Sequence, residues 1–160
     1  MYKRQVFVLS ACGEKSEPAA TTAQKASWEE FAATTVAAYY AANPEAAVYA
    51  GLHEYDGKIS DVSLAANEKY ALWIDGVIAE AKSYDSLGGI EAFERDYLLT
   101  ALEGELFWIR DSGFATNNPV YYASGISADI YIDREYAPIE ERIVAYTCLL
   151  YTSPSPRDRS

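Results

Sequence analysis

The longest helical pattern of apolar and polar positions lies in residues 89–112. Apolar side chains recur there at intervals of three and four, the spacing of one helix face: Phe93, Tyr97, Leu98, Ala101, Leu102, Leu106, Ile109. Glu105 is the one charged residue at this spacing. Leu99, Phe107 and Trp108 widen the face, so the pattern predicts a core helix with neighbours on two sides, ending before Gly113.

Helical spacing also marks the segments before this one. Residues 27–30 (SWEE) fit a capping box, which predicts a helix over residues 28–42, and Pro44 begins a shorter one over 45–50. Ser63 can cap a third helix over residues 64–84. Short connections between such helices favour antiparallel neighbours.

The pattern weakens after Gly113. Residues 114–137 mix turn residues with tyrosines, which predicts irregular loops with a short helix near 120–124. Pro138 then restarts a helix at its first position. The chain is therefore predicted to be all-α, with antiparallel helices and an irregular loop region near 114–137.

Charge narrows the classes of partner. The 160 residues carry 24 acidic and 13 basic side chains, a formal net charge of −11. Such a field repels phosphate backbones, so we expect no nucleic-acid partner. The length suits one core, or part of a larger domain.

Both termini differ in character from the rest. Residues 1–5 (MYKRQ) and 148–158 (CLLYTSPSPRD) resemble the translation of transposase-type sequencing-library adapters. We expect residues 1–5 and 148–160 to be adapter-derived. Residues 6–147 would then be an internal piece of a longer gene.

The segment before the first helix resembles the end of a lipoprotein signal. Leu9, Ser10 and Ala11 precede Cys12 as in a lipobox, where the cysteine receives diacylglycerol. We therefore expect residues 6–12 to be a truncated signal peptide, 13–26 a flexible tether and 27–147 the helical domain. The alternative is a short buried strand followed by an unrelated cysteine.

A lipidated Cys12 has consequences for location and thiol chemistry. It would attach the protein to a membrane, and Gly13 in the next position favours the outer membrane, facing the periplasm. Cys148 belongs to the adapter-like tail. No thiol then remains for a disulfide, a nucleophile or a metal site.

The only histidine is His53, followed by Glu54. Zinc peptidases use HExxH, in which two histidines lie one helical turn apart, but the position four after His53 is Gly57. His53, Glu54 and Asp56 either form a metal site by themselves or anchor the loop by hydrogen bonds, and we favour the second interpretation. We predict no catalytic, cofactor-binding or metal-binding residue in this chain.

The tyrosines of the irregular region allow two interpretations. Tyr121, Tyr122, Tyr131 and Tyr136 can line a sugar or peptide groove, or bridge core and surface, which is the commoner arrangement. Residues 133–135 (DRE) are adjacent in sequence, so a solvated charge run is favoured over a site.

Four motifs together resemble one family. GLHEYDG (51–57), ELFWIRDSGF (105–114), NPVYY (118–122) and REYAPIEERI (134–143) look like the N-terminal part of the bacterial domain-of-unknown-function 885 family. The resemblance implies a large, exported or lipidated helical protein related to gluzincin-type zinc peptidases. Zinc is expected for the full-length parent, held by later elements that have no counterpart here.

Two hypotheses follow from this resemblance. The chain is the non-catalytic N-terminal part of an exported zinc-peptidase-like lipoprotein, in which its helices flank the substrate channel. Alternatively, it belongs to a non-enzymatic helical lipoprotein that binds peptides or a partner protein. In both hypotheses we expect a large exposed apolar patch on these 160 residues and no hydrolase activity.

Overall fold

A computed structural model of the chain describes residues 25–121 and 128–152. Helices dominate these residues, and no strand occurs among them. The predicted all-α fold is confirmed.

The first two helices begin where the sequence predicts. Helix α1 spans Trp28–Ala42, and Ser27 caps it: its hydroxyl accepts from the Glu30 amide, whose side chain accepts in return from the Ser27 amide. Helix α2 spans Pro44–Tyr49, with proline at its first position. Local chemistry alone fixes these boundaries.

Helix α3 spans Leu64–Lys82, and helix α4 spans Gly89–Leu106. The Ser63 hydroxyl accepts from the Ala66 amide at 3.2 Å, as expected for the predicted cap. After α4 the chain continues as a π-helical turn over Phe107–Asp111 and stops at Gly113, whose φ of 66° is a left-handed conformation that suits glycine.

The region predicted to be irregular contains more helix than expected. Helices α5 (Phe114–Asn117) and α6 (Ile130–Asp133) are single turns within it. Of the predicted helix at 120–124, residues 120 and 121 are helical and the remainder lies outside the described residues. Helix α7 spans Ile139–Thr152, directly after Pro138 as predicted, and continues beyond residue 147.

Three long helices share the first hydrophobic cluster. Ion pairs of Lys82 with Glu103 and of Asp75 with Arg110 show that α3 and α4 run antiparallel. Helix α1 is antiparallel to α3 as well, since its two ends bond to opposite ends of α3 through Ala26 with Tyr84 and Asn43 with Tyr70. The buried members of this cluster are Trp28, Phe31, Ile74, Val77, Ala81, Tyr84 and Leu102.

Helix α4 is less buried than its sequence predicts. Leu102 is its only buried residue, while Leu98, Leu99, Leu106 and Ile109 of the same segment are partly buried. Phe93 and Tyr97 were predicted on the core face but are 65% and 70% exposed. Among the described residues, α1 and α3 cover α4 on the side of Leu102, and the side of Phe93 and Tyr97 is exposed.

The second hydrophobic cluster lies where α2, α6 and α7 meet. Its buried members are Val48, Ile130, Tyr131, Ala145 and Leu149. Tyr55 and Ile59 of the loop after α2 pack against it. Two clusters, each with its own helices, therefore hold most of the buried apolar residues in the described part of the chain.

Candidate functional site

An extended exposed apolar surface lies on α4 and continues into the π-helical turn. Six residues recur at intervals of three and four on the side of the helix away from Leu102, and we call them the outer stripe: Ile90, Phe93, Tyr97, Ala101, Gly104, Trp108. Ile90 is 67% exposed and Trp108 is 59% exposed. Large apolar side chains adjoining one another in water are typical of a contact surface.

Aromatic rings continue the outer stripe towards the next segment. The rings of Phe93 and Tyr97 lie 6.4 Å apart. Trp108 packs edge-on against Phe114 at 5.8 Å, and Phe114 packs edge-on against Tyr121 at 6.0 Å. Ring contacts therefore order the two ends of this apolar surface, on either side of Ala101 and Gly104.

A shallow cavity of about 240 Å³ opens beside these rings. It is lined by Leu64, Asn67, Glu68, Ile109, Arg110, Gly113, Ala115 and Thr116. Its guanidinium, from Arg110, lies 2.9 Å from an Asp75 oxygen and 3.9 Å from a Glu68 oxygen. Because two carboxylates already neutralise this cation, the cavity is not an evident anion site.

The loop around His53 is held by side-chain contacts. His53 Nδ1 lies 3.2 Å from Asp56 Oδ1, and its ring stacks on Tyr136 with 3.5 Å between centroids. The Tyr136 hydroxyl donates to Asp56 Oδ2 at 2.7 Å. His53 and Asp56 thus serve as the hydrogen-bonding loop anchor that we favoured over a metal site, whereas Glu54 is exposed.

Burial and Asp56 shape the acidity of Tyr136. Burial is the largest cause of the raised pKa of its hydroxyl. The hydrogen bond to Asp56 and the negative charge of that carboxylate raise the pKa further. The phenol therefore stays protonated at neutral pH and remains a donor to Asp56. These contacts position a loop and leave no activated base.

Arg142 fixes the segment that leads into α7. Its side chain is only 7% exposed and donates to the carbonyls of Ala137, Tyr131, Ile132 and Arg134 at 2.8 to 3.2 Å. The same segment supplies Tyr131, whose hydroxyl accepts from the Gly57 amide at 3.0 Å. A buried guanidinium thus replaces the backbone partners that short helices lack.

The tyrosines of this region follow the commoner of the two interpretations. Tyr131 is buried in the second cluster, and Tyr136 and Tyr121 are half-buried with bonded hydroxyls. Tyr122 lies outside the described residues. Residues 133–135 are exposed as predicted, and Arg134 also donates to the Tyr49 carbonyl at 3.0 Å.

Comparison with family models, curated proteins and solved structures finds no match to this chain. Membership of the domain-of-unknown-function 885 family therefore stays a prediction.

Cys12 lies outside the described residues, and Cys148 is exposed on α7. Within residues 25–121 and 128–152, no group of three or more His, Cys, Asp or Glu side chains could hold a metal ion. The helices of this part of the chain are too short or too polar to cross a bilayer.

The sequence does not single out Arg142 or Glu105 as a site residue. Arg142 lies within a charged run, and its four carbonyl partners come from irregular backbone that spacing cannot place. Glu105 did carry a signal, because it is the one acid at an otherwise apolar helical spacing. The structure places it half-buried between the outer stripe and the core.

Proposed function

We propose that this chain is a non-catalytic helical part of an exported, zinc-peptidase-like lipoprotein and that its outer stripe packs against further helices beside the substrate channel. The observation that carries this proposal is the exposure of Ile90, Phe93, Tyr97 and Trp108 along one line of α4 and its π-helical turn. The resemblance to the domain-of-unknown-function 885 family supplies the zinc-peptidase context.

Energetics favour a covered outer stripe. Burying a large apolar side chain stabilises by roughly 1.5–3 kcal/mol relative to leaving it in water, and the stripe holds four such residues. Ala101 and Gly104 lie between them, and a Cβ added at Gly104 would meet no atom within 4 Å. Small residues at the middle of the stripe would let another helix approach closely.

The test of this packing uses the 160-residue chain. We expect it to bind an apolar dye and to self-associate, and the double variant Phe93→Ser with Tyr97→Ser to lose most of both properties. The matched control is Leu72→Ser with Val120→Ser, which changes two exposed apolar residues outside the stripe. A wild-type chain that is monomeric, melts cooperatively and leaves the dye dark would refute the packing role.

The zinc-peptidase context has a separate test. The complete reading frame of the gene should encode HExxH and a distal glutamate, which together hold zinc, with the HExxH glutamate acting as general base. A reading frame without these residues would remove the peptidase proposal and leave the packing role intact.

A second candidate function is a non-enzymatic lipoprotein that binds peptides or a partner protein. The aromatic character of the outer stripe favours it, since Tyr, Trp and Phe are enriched in protein interfaces. Chelator-sensitive hydrolysis of a peptide library by the full-length protein would exclude this candidate.

Membrane attachment through Cys12 completes the proposal. A lipid on Cys12 would hold the protein at the cell envelope, at the periplasmic face of the outer membrane. Expression of the complete gene, with its full signal peptide, in a Gram-negative host should then give labelling by a radioactive fatty acid that Cys12→Ser abolishes. Label that survives this substitution would contradict the anchor.

A further inference from the structure

Carboxylates border the outer stripe on both of its edges, and we call them the acidic rim. Each member directly follows or directly precedes a residue of the stripe: Glu91, Glu94 and Glu105 follow one, and Asp96 and Glu103 precede one. Since one helical position turns a side chain by about 100° around the axis, the first three line one edge and the last two line the other. All members are exposed except Glu105, which is half-buried.

The two edges of the acidic rim differ in how far their charge is neutralised. Arg95 donates to Asp96 at 2.9 Å and to the Tyr84 carbonyl at 2.7 Å, and Lys82 of α3 lies 3.2 Å from Glu103. The three carboxylates of the other edge form no ion pair within residues 25–121 and 128–152. That edge therefore offers unpaired negative charge to a partner.

The acidity is concentrated on this helix. Residues 89–111 hold six acidic and two basic side chains, whereas the whole chain holds 24 and 13. The ratio is three to one on this segment and below two to one over the chain. Arg110, one of the two cations, lies 2.9 Å from an Asp75 oxygen on α3 and is turned away from the stripe. A partner on the stripe therefore meets mainly carboxylates.

The shape of the outer stripe suits a helix as its occupant. From Ile90 to Trp108 the stripe extends over about five turns, roughly 27 Å along the helix axis. Ala101 and Gly104 leave a low stretch between the rings of Tyr97 and Trp108, into which the side chains of another helix can fit. An extended peptide would need the edge of a sheet for its backbone, and the described part of the chain contains no strand.

We propose that the outer stripe binds an amphipathic helix whose own apolar face is bordered by lysine or arginine side chains. Apolar burial supplies the attraction, and the acidic rim selects a basic partner, because like charges across an interface are unfavourable. The choice of partner rests on the packing role proposed above for the stripe. A second copy of the chain is the weaker partner, since two stripes face to face bring two acidic rims together.

The test titrates the 160-residue chain with three synthetic peptides of about 18 residues, the length of the stripe. The first has leucines at helical spacing with lysines on both edges, the second has glutamate in place of every lysine, and the third is a shuffled form of the first without an apolar face. Isothermal titration calorimetry measures the affinities. We expect the lysine peptide to bind at least about tenfold more tightly than either control, a factor equivalent to about 1.4 kcal/mol.

Salt and two double variants decide whether the acidic rim is responsible. Binding of the lysine peptide should weaken between about 0.01 and 0.15 M salt, as the Debye length falls from about 30 to 8 Å. Glu91→Gln with Glu94→Gln keeps the oxygen that accepts from Trp28 and should weaken binding at least about threefold. Glu54→Gln with Glu135→Gln changes two exposed carboxylates beside the second cluster by the same net charge and should leave binding unchanged.

Three outcomes would overturn the basic partner. Absence of saturable binding by the lysine peptide is the first, and equal binding of the lysine and glutamate peptides is the second. The third is non-specific attraction by net charge, shown by equal binding of the shuffled peptide or by equal losses in the two double variants. The packing role fails by a different result, a monomeric chain that leaves the apolar dye dark, so the two proposals are distinguishable.

Discussion

The two hydrophobic clusters are stabilised in different ways. The first is built from long helices that bury aliphatic and aromatic side chains, with Ile74 fully buried at its centre. The second joins short helices and loops, and polar side chains tie its backbone together through Arg142, Tyr131 and Tyr136. Apolar burial is enough to stabilise the long helices of the first cluster. In the second cluster, hydrogen bonds from side chains to the backbone stabilise the short helices and loops.

Helix length is the physical reason for this difference. Isolated helices shorter than about 12 residues are marginal in water, and α6 has only four. The N–H groups at the start of such a helix and the carbonyls at its end need partners from elsewhere. Arg142 supplies the carbonyl partners from α7, so one side chain organises a segment that periodic burial cannot.

The largest expected effect is that of Arg142→Met. The substitution leaves the carbonyls of Tyr131, Ile132, Arg134 and Ala137 without this donor, which should lower the free energy of unfolding by about 4 kcal/mol. Urea denaturation followed by circular dichroism measures it. The control is Glu141→Gln, an exposed change on the same helix. A loss below about 1 kcal/mol for Arg142→Met would mean that its hydrogen bonds do not stabilise the second cluster.

Ile74→Ala probes the first cluster in the same assay. It removes a fully buried side chain from α3 and should lower the free energy of unfolding by about 3 kcal/mol through lost transfer energy and a cavity. Leu72→Ala lies on the exposed side of the same helix and should cost under about 0.5 kcal/mol. Equal losses from the two variants would mean that the three-helix core does not form.

The sequence predicts the first cluster far better than the second. The start of α1 at Trp28, the cap at Ser63 and the stop at Gly113 follow from residues within one turn of each boundary. The bond between Asp56 and Tyr136 joins residues far apart in the chain. Helical spacing carries no information on such pairs. The sequence therefore predicts that hydrogen bonds anchor the loop of Asp56, but it does not predict Tyr136 as the partner.

The outer stripe shows a second limit of periodicity. The spacing in residues 89–112 correctly predicts a helix but merges two apolar sides into one, because it cannot tell which side has neighbours. Leu102 faces α1 and α3, whereas Phe93 and Tyr97 face solvent. Glu105 lies between the two sides, which explains why an acid stands at an otherwise apolar spacing.

Tyr136→Phe should have a smaller effect than either core variant. It keeps the ring that stacks on His53 but removes the hydroxyl that donates to Asp56, and we expect a loss of about 1 kcal/mol. Hydrogen exchange should show faster opening of the Gly57 amide, which bonds to the neighbouring Tyr131. The control is Tyr151→Phe on the exposed end of α7. An unchanged Gly57 amide in Tyr136→Phe would show that the bond to Asp56 does not anchor the loop.

Glu105→Gln should have the smallest effect, and its sign depends on pH. The folded state raises the pKa of Glu105, so the folded protein binds a proton more tightly than the unfolded chain does. Wild-type stability therefore falls as pH rises from the unfolded pKa through the raised folded pKa, while the amide variant lacks this decline. The variant should be slightly more stable than wild type at pH 7 and equal to it below the unfolded pKa, by urea denaturation at each pH. A variant less stable than wild type at pH 7 would mean that the carboxylate already has a stabilising partner, and the first cluster would then depend on polar contacts as the second does.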